Sequence, residues 1–206
     1  MPLGIETIFS PGVHFAIMQR PRIYFVTHNA GKMREAELLF RDYFDVEQID
    51  TTYPELQEDD LSKIAAYGAK YCAEQLNRPV IVEDSGLFVD ALKGFPGPYS
   101  AFVQGTLGNK GILKLMEGET NRRAEFRSVV GYCAPGEEPT MFTGIWWGEI
   151  LTEEVGTNGF GYDPIFAYRR FPVGEMTTEQ KNEVSHRRRA LLQFREWYEN
   201  RTCAAR

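Results

Sequence analysis

Residues 80–87, VIVEDSGL, lie near the middle of the chain and decide how the rest of it is interpreted. The three branched apolar residues predict a central strand that is covered on both faces. The following Glu83, Asp84, Ser85 and Gly86 indicate an acidic turn at the carboxyl end of that strand, where open α/β sheets bind ligands. Two adjacent carboxylates are costly to keep ionised unless a cation lies beside them, and their hard oxygen atoms suit Mg²⁺. An exposed turn that merely joins two strands explains this local sequence equally well.

The composition describes a globular protein of 206 residues, enough for one large domain or two small lobes. Hydrophobic residues make up 43% of the chain, which permits a substantial core. The formal net charge of −6 argues against non-specific nucleic-acid binding, which requires a basic surface. No apolar run approaches the roughly 20 residues of a membrane-spanning helix. The three cysteines lack metal-ligand spacing and predict reduced thiols in a cytoplasmic protein.

Residues 1–20 do not share the pattern of the rest. They contain Gly, Pro and isolated apolar residues without periodicity, and they lack the cationic start and continuous apolar segment of a secretory signal. We therefore expect a flexible N-terminal extension, or an upstream start codon with Met18 as the functional one. Residues 21–206 are expected to form a single domain.

The first predicted strand, residues 22–27, leads through a short polar loop into a helix that extends to about Phe44. The 3-4-4 spacing of Met33, Ala36, Phe40 and Phe44 predicts one buried stripe on that helix. Asn29 is placed to cap that helix. Free backbone N–H groups at a helix start bind anions, and Lys32 adds a point charge for a phosphate. An ordinary capped helix with a solvated lysine is the alternative interpretation of this segment.

The middle of the chain predicts further helices and strands. Strands are expected at 45–49, at 87–92 after the acidic turn, and at 124–132 and 140–150 as a hairpin; helices are expected at 61–76 and 109–117. The hairpin predicts either a smaller lobe or an antiparallel extension of the main sheet. Residues 53–60 contain four carboxylates. The alternative interpretation is a solvated loop whose negative charge stabilises the start of the next helix through the helix dipole.

Two later segments carry aromatic and basic residues. Residues 159–164, GFGYDP, predict a shaped loop that presents rings to a flat ligand, although a plain hydrophobic loop fits equally well. Residues 179–200 predict one helix, whose basic residues ordinarily mean a solvated face. These residues are Lys181, His186, Arg187, Arg188 and Arg189.

Five segments together resemble the motifs of the inosine triphosphate pyrophosphatase family, the pyrophosphatases of non-canonical purine nucleoside triphosphates. In chain order they are THNAGK at 27–32, EDSGL at 83–87, GFPGPYS at 94–100, GFGYDP at 159–164 and SHR at 185–187. The resemblance extends from about residue 22 to residue 198. PELQ at 54–57 and GFPG at 94–97 are similar to the archaeal and eukaryotic branch. The sequence departs from the family where 167–174 is shorter than usual, and where Phe102 replaces an arginine of bacterial relatives.

The resemblance implies an α/β fold with a long mixed central sheet flanked by helices, in which two lobes enclose an active-site cleft. It implies a cytoplasmic homodimer that hydrolyses ITP, dITP and XTP to the monophosphate and pyrophosphate with Mg²⁺. Such an enzyme removes deaminated purines from the nucleotide pool. The implied partner is the purine nucleoside triphosphate, with no nucleic-acid polymer and no membrane.

The resemblance also assigns roles to residues. Asp84 would be catalytic, and Glu55, Glu83 and Asp84 would hold the metal, with Glu58 as the alternative to Glu55. The implied substrate-binding residues are Thr27, His28, Asn29, Ala30, Gly31, Lys32 and Ser85 near the polyphosphate, and Phe160, Gly161, Tyr162, Asp163, Lys181, His186 and Arg187 near the base.

Two other functions stay open at this point. A non-catalytic nucleotide sensor would keep the pocket but would have lost Asp84 or part of the metal set. A phosphatase would release orthophosphate from the γ end, and the residues alone do not identify which phosphorus atom is attacked. The preference among ITP, dITP and XTP is equally open.

Overall fold

The computed structural model describes residues 20–54 and 56–204. Residues 1–19 of the expected extension at 1–20, and the predicted ligand Glu55, therefore lie outside the described residues. Eight strands occur in the described part: β1 (Arg22–Val26), β2 (Asp45–Ile49), β3 (Val80–Val89), β4 (Pro96–Gly97), β5 (Arg123–Cys133), β6 (Thr140–Ile150), β7 (Phe166–Tyr168) and β8 (Phe171–Pro172). The α-helices of the same part are α1 (Ala30–Phe40), α2 (Leu61–Leu76), α3 (Ser100–Thr106), α4 (Gly108–Leu115), α5 (Thr178–Val184) and α6 (His186–Ala204).

All these strands belong to one sheet, in the order β2-β1-β3-β5-β6-β7-β8, with β4 paired to β3. Strand β1 is parallel to β2 and β3, and the other pairs are antiparallel. The expected long mixed sheet flanked by helices is confirmed. The predicted hairpin is also confirmed, and it extends the main sheet because β5 pairs with β3 along its whole length.

The predicted acidic turn after Val82 is wrong. Strand β3 continues without interruption to Val89, and its register with β5 runs from Val80 opposite Cys133 to Val89 opposite Ala124. The physical reason is that β5 supplies a ladder partner for each residue of the acidic stretch, so the backbone stays extended there. The separate strand expected at 87–92 is the end of β3 followed by a short 3₁₀ turn.

The helices follow the apolar pattern but not always its expected limits. In α1 the side chains of Met33, Ala36 and Phe40 are buried as predicted, yet the helix ends at Phe40 rather than Phe44. Helix α2 occupies the predicted residues and begins after the N-cap Asp60. Helix α3 was not predicted, and α4 corresponds to the helix expected at 109–117.

The single helix expected at 179–200 is wrong, because the chain forms α5 and α6 with a break at Ser185. Ser185 has extended backbone angles, φ −68° and ψ 160°. Its hydroxyl accepts a hydrogen bond from the Arg188 N–H at 3.2 Å, which satisfies a free donor at the start of α6. A capping box between Thr177 and Gln180 begins α5.

The face of the sheet that carries α1 and α6 holds two hydrophobic cores. Along β3, the side chains on this face run from Ile81 in the first core, through Glu83 and Ser85, to Leu87 in the second. Ser128 on β5 lies directly opposite Ser85. We call Glu83, Ser85 and Ser128 the polar belt. The polar belt lies between the two cores, and the division into two lobes stays a prediction.

The opposite face of the sheet is covered by α2. Val82 and Phe88 on β3 pack in the two clusters that contain residues of this helix. Asp84 lies on the same face between them, because side chains alternate along a strand. The carboxylates of Glu83 and Asp84 therefore leave the sheet on opposite sides. Among the described residues, no helix is both long enough and apolar enough to cross a membrane.

Candidate active site

The loop before α1 forms a capped helix start. The side chain of Asn29 accepts hydrogen bonds from the N–H groups of Gly31 at 2.8 Å and Lys32 at 3.1 Å, so the predicted N-cap is confirmed. The Asn29 N–H in turn donates to the Thr27 hydroxyl at 3.1 Å. A β-carbon on Gly31 would lie 2.7 Å from the Phe160 ring, which shows how closely the loop at 159–164 packs against this helix start.

The side chain of Lys32 turns inward from the helix start to the polar belt. Its ammonium group lies 2.7 Å from Glu83 Oε2 and donates a hydrogen bond to the Glu83 carbonyl oxygen at 2.9 Å. The lysine side chain is 16% exposed, whereas the Glu83 side chain is fully buried. The solvated lysine considered above is thus replaced by a lysine held at the mouth of a buried charge cluster.

Arg187, the second residue of α6, is bound on three sides. Its Nε donates to Glu83 Oε1 at 3.2 Å, its Nη1 donates to Glu35, and its Nη2 donates to the Ser85 hydroxyl at 3.2 Å. The start of α6 approaches the sheet closely, because a β-carbon on Gly144 would lie 2.0 Å from the carbonyl oxygen of His186. The solvated basic face considered for this segment does not describe Arg187, which is 2% exposed.

Lys181 on α5 completes the cluster. Its ammonium group lies 3.0 Å from Glu35 Oε1 and 2.6 Å from Asp163 Oδ2. Asp163 Oδ2 also accepts a hydrogen bond from the Phe160 N–H at 2.8 Å, which holds the aromatic loop in place. The Lys181 nitrogen lies 4.2 Å from the centre of the Phe160 ring, and the Arg187 guanidinium carbon lies 5.6 Å from it. Two cations thus approach one partly exposed ring.

The charge cluster, as we name this group, consists of Glu35, Glu83, Asp163, Lys32, Lys181 and Arg187, whose three negative and three positive charges balance. Burial alone would raise the pKa of Glu83, but the nearby Arg187 and Lys32 charges lower it well below its usual value. The pKa of Glu35 is lowered in the same way: burial opposes the shift, while Arg187 and Lys181 overcome it. Burial raises the pKa of Asp163, and Lys181 offsets this only in part.

Asp84 is half-buried on the α2 face, away from the charge cluster. Its Oδ1 accepts a hydrogen bond from the Ser85 N–H at 3.0 Å. The acidic loop leads into α2 on this face, and there the Glu58 carboxylate pairs with Lys63 at 3.1 Å. Among the described residues, no group of three or more His, Cys, Asp or Glu side chains is arranged to hold a metal. The metal role of Glu55 stays a prediction.

Two predicted base-binding residues lie in the second core. The His186 ring stacks on Phe126, at 4.9 Å between ring centres, and lies nearly parallel to Trp146 at 6.1 Å. Burial, helped by the Arg187 charge, lowers the pKa of His186 well below its usual value, so the ring is neutral. Tyr162 is 4% exposed and donates its hydroxyl hydrogen to the Ser100 carbonyl oxygen at 2.9 Å.

The remaining predicted residues lie at the rim of the site. His28 is exposed and pairs with Asp50. Ala30 is exposed at the first turn of α1, and the Gly161 carbonyl oxygen accepts a hydrogen bond from Gln104 at 3.2 Å. A cleft opens between α1, the aromatic loop and α5, and it is lined by Gly31, Arg34, Glu35, Gly159, Phe160, Met176, Thr177, Thr178 and Lys181.

Sequence analysis missed two residues of this site, Glu35 and Ser128. Glu35 is 4% exposed and binds both Lys181 and Arg187. Its one signal was the three-residue spacing from Lys32, which puts both side chains on one side of α1. Ser128 donates its hydroxyl hydrogen to Glu83 Oε1 at 2.6 Å. Its position inside the strand predicted at 124–132 gave no sign of this role.

The fold and the site define a class: a mixed α/β protein whose charge-dense cleft adjoins a capped helix start, the kind of site that binds phosphorylated ligands. The model of the Ham1 family matches residues 23–197, and the chain belongs to this family. The resemblance stated from the five motifs is thereby confirmed.

Curated relatives and solved structures agree with this assignment. The chain is 57% identical over 186 residues to a protein of Methanopyrus kandleri named dITP/XTP pyrophosphatase, with 87% of this chain and 97% of that protein covered. A protein of the same name from Methanosarcina mazei is 55% identical, with 86% and 97% covered. The structure of the Staphylococcus aureus Ham1 protein is similar at a TM-score of 0.77 and 32% identity, covering 87% of this chain and 99% of that one.

Proposed function

We propose that this chain hydrolyses non-canonical purine nucleoside triphosphates, ITP, dITP and XTP, to the monophosphate and pyrophosphate, and so clears deaminated purines from the nucleotide pool. The names of the relatives, which match over nearly their whole length, support this proposal. The observation that carries it in the structure is the arrangement of Lys181 and Arg187 around the Phe160 ring, next to the start of α1. One cleft thus offers a surface for a purine and donors for a polyphosphate.

The polyphosphate binds at the loop of residues 27–32. The dipole of α1 favours an anion at the start of the helix. Asn29 already satisfies the N–H groups of Gly31 and Lys32, which fixes the loop in one shape. The Lys32 ammonium group supplies the positive charge, and on binding it exchanges part of its contact with Glu83 for a phosphate oxygen.

The base binds beside Phe160, where Lys181 and Arg187 donate hydrogen bonds. Hypoxanthine and xanthine carry a 6-oxo acceptor where adenine carries an amino donor, so these cations favour the deaminated bases. A buried donor that faces the adenine amino group would lose its partner at a cost of about 1–3 kcal/mol. Sites that require a hydrogen bond discriminate better than sites that only fit a shape.

The metal is Mg²⁺, and the donors on the α2 face fit it. Asp84 is a half-buried carboxylate on the face of the sheet that α2 covers, and in sequence Glu55 and Glu58 shortly precede α2. Mg²⁺ prefers such hard oxygen ligands. When bound, the ion neutralises charge that develops on the phosphoryl oxygens. Asp84 orients the attacking water and accepts its proton, which contributes about 10² to 10⁴ in rate. Ser85 continues the strand from Asp84 and donates toward the substrate from the other face.

Identification of the product of ITP hydrolysis tests the proposal most directly. We expect purified protein with Mg²⁺ to release pyrophosphate and IMP, and to turn over dITP and XTP well but ATP poorly. Orthophosphate and IDP as products would establish the phosphatase alternative. Nucleotide binding without any turnover would establish the sensor. The homodimer and the cytoplasmic location are part of the same proposal, and light scattering of the purified protein measures the first.

A further inference from the structure

Glu83 and Asp84 are neighbours in sequence, but they cannot act on the same ion as a simple pair. The ladder of β3 with β5 is continuous through both residues, with Glu83 opposite Val130 and Asp84 opposite Val129. Because side chains alternate along an extended strand, the two carboxylates project from opposite faces of the sheet. One faces α6 and the other faces α2.

Both oxygens of the Glu83 carboxylate lie beside groups of this chain, although Oε2 has an ion pair and no hydrogen bond of good geometry. Its Oε1 accepts hydrogen bonds from Ser128 at 2.6 Å and Arg187 at 3.2 Å, and its Oε2 lies 2.7 Å from the Lys32 ammonium group. The side chain is fully buried. A divalent ion bound here would have to displace these groups and would lie next to two positive charges, which repel it.

The same contacts fix the orientation of Arg187. A guanidinium group is a rigid planar fork, so two carboxylates on different edges determine its plane. Glu83 holds the Nε edge and Glu35 holds Nη1, while Nη2 reaches the Ser85 hydroxyl. In this position the guanidinium carbon lies 5.6 Å from the Phe160 ring centre.

We infer that Glu83 is a positioning residue, which holds Arg187 and Lys32 at the substrate cleft, and that it is not a ligand of the metal. This inference takes the identity of the substrate from the proposed function, whereas the contacts of Glu83 come from the structure alone. Glu83 thus has an electrostatic role in place of the metal-binding role that the resemblance implied. Asp84 is then the residue of β3 that binds the metal.

Thermal denaturation in EDTA tests the geometry without any turnover. Glu83→Gln leaves Arg187 and Lys32 without their shared counter-charge, so we expect its Tm to fall by about 6–20 °C. Asp84→Asn should change the Tm by less than about 2 °C. Adding Mg²⁺ should raise the Tm of Glu83→Gln as much as that of the wild type, and should not raise that of Asp84→Asn. An unchanged Tm in EDTA, or loss of the Mg²⁺ effect in Glu83→Gln, overturns the inference.

Kinetics separate positioning from a merely structural role. In Ser128→Ala the charge of Glu83 is kept but its hydrogen bond is lost, and this variant is available even if Glu83→Gln does not fold. We expect Mg²⁺ half-saturation within twofold of wild type, and at least a fivefold fall in the ratio of kcat/KM for ITP to that for ATP. Arg187→Ala removes the guanidinium group altogether, so its ratio of kcat/KM for ITP to that for ATP gives the largest fall that loss of positioning can cause.

The remaining outcomes are decisive as well. A tenfold rise in the Mg²⁺ requirement of Ser128→Ala or Glu83→Gln makes Glu83 a metal ligand, and an unchanged ITP-to-ATP ratio makes it structural only; either result refutes the inference. Failure of the proposed function is distinguishable, because it is seen as absence of pyrophosphate release by the wild type. The Tm comparison then still decides the role of Glu83.

Discussion

Replacing Gly144 by alanine should disturb the site by displacing the start of α6. Strand β6 has no side chain at this position, and the first turn of α6 occupies the space. An added β-carbon would lie 2.0 Å from the His186 carbonyl oxygen and 2.8 Å from the Ala190 nitrogen, whereas an ordinary contact begins near 3.4 Å. Both obstructing atoms are backbone atoms, so α6 has to move outward by about 1.4 Å.

This displacement has two consequences. Overpacking of this kind costs about 1–3 kcal/mol, which lowers the Tm of a chain of this size by roughly 3–10 °C. Arg187 follows His186 directly, so the shift also lengthens its 3.2 Å contacts with Glu83 and Ser85 beyond hydrogen-bonding distance. Misplacement by about 1 Å costs on the order of 10² in rate, and we expect kcat/KM for ITP to fall by that factor.

Gly105→Ala is the matched control. Gly105 lies in α3, and a β-carbon there would meet nothing within 4 Å. Because alanine is the better helix former, the Tm should stay unchanged or rise slightly. If Gly144→Ala matches the wild type in both Tm and kcat/KM, the close approach of α6 to β6 does not position Arg187 and the reasoning is refuted.

Four further predictions concern other parts of the molecule. Asp84→Asn should keep the fold and nucleotide binding but lose at least 10²-fold in kcat for ITP; activity within a few-fold of wild type would contradict its role as base. Glu55→Gln should raise the Mg²⁺ requirement more than Glu58→Gln, because Glu58 already pairs with Lys63; the reverse order in a Mg²⁺ titration would exchange the two roles. The pKa of folded His186 lies below its usual value, so its contribution to stability is complete above about pH 6.5 and declines as the pH falls; His186→Phe should therefore lose less Tm between pH 7 and pH 5 than the wild type, and an equal loss would exclude this source. A chain that starts at Met18 should keep its Tm and activity, and a clear fall in either would show that the preceding residues contribute to the domain.

Features of the fold that depend on residues close together in sequence could be predicted from the sequence. The cap by Asn29 follows from its side chain and the two residues after it. The stripe of Met33, Ala36 and Phe40 follows from helical periodicity, and it packs as expected. The hairpin of β5 and β6 follows from alternating residues on either side of a Pro-Gly turn. Each of these features depends on short-range geometry.

The features that could not be predicted depend on partners far away in sequence. Glu83 resembled part of an exposed turn because its counter-charges come from Lys32 and Arg187, 51 and 104 residues away. The burial of Glu35 has the same cause, since Arg187 is its partner across 152 residues. The break at Ser185 was hidden because the apolar positions continue across it, while the serine hydroxyl supplies a cap.

The charge cluster also has a consequence for how the chain becomes active during synthesis. Lys32 and Glu35 emerge from the ribosome long before Lys181 and Arg187, which lie about 150 residues later and are needed to neutralise the buried carboxylates. Until then α1 and β3 carry acidic side chains that are costly to bury alone, so the sheet between the two cores cannot close around them. Contacts of such long sequence separation form late in folding. A partly made chain therefore has neither a closed cleft nor an oriented Arg187, and the charge cluster is complete only once the start of α6 has been made.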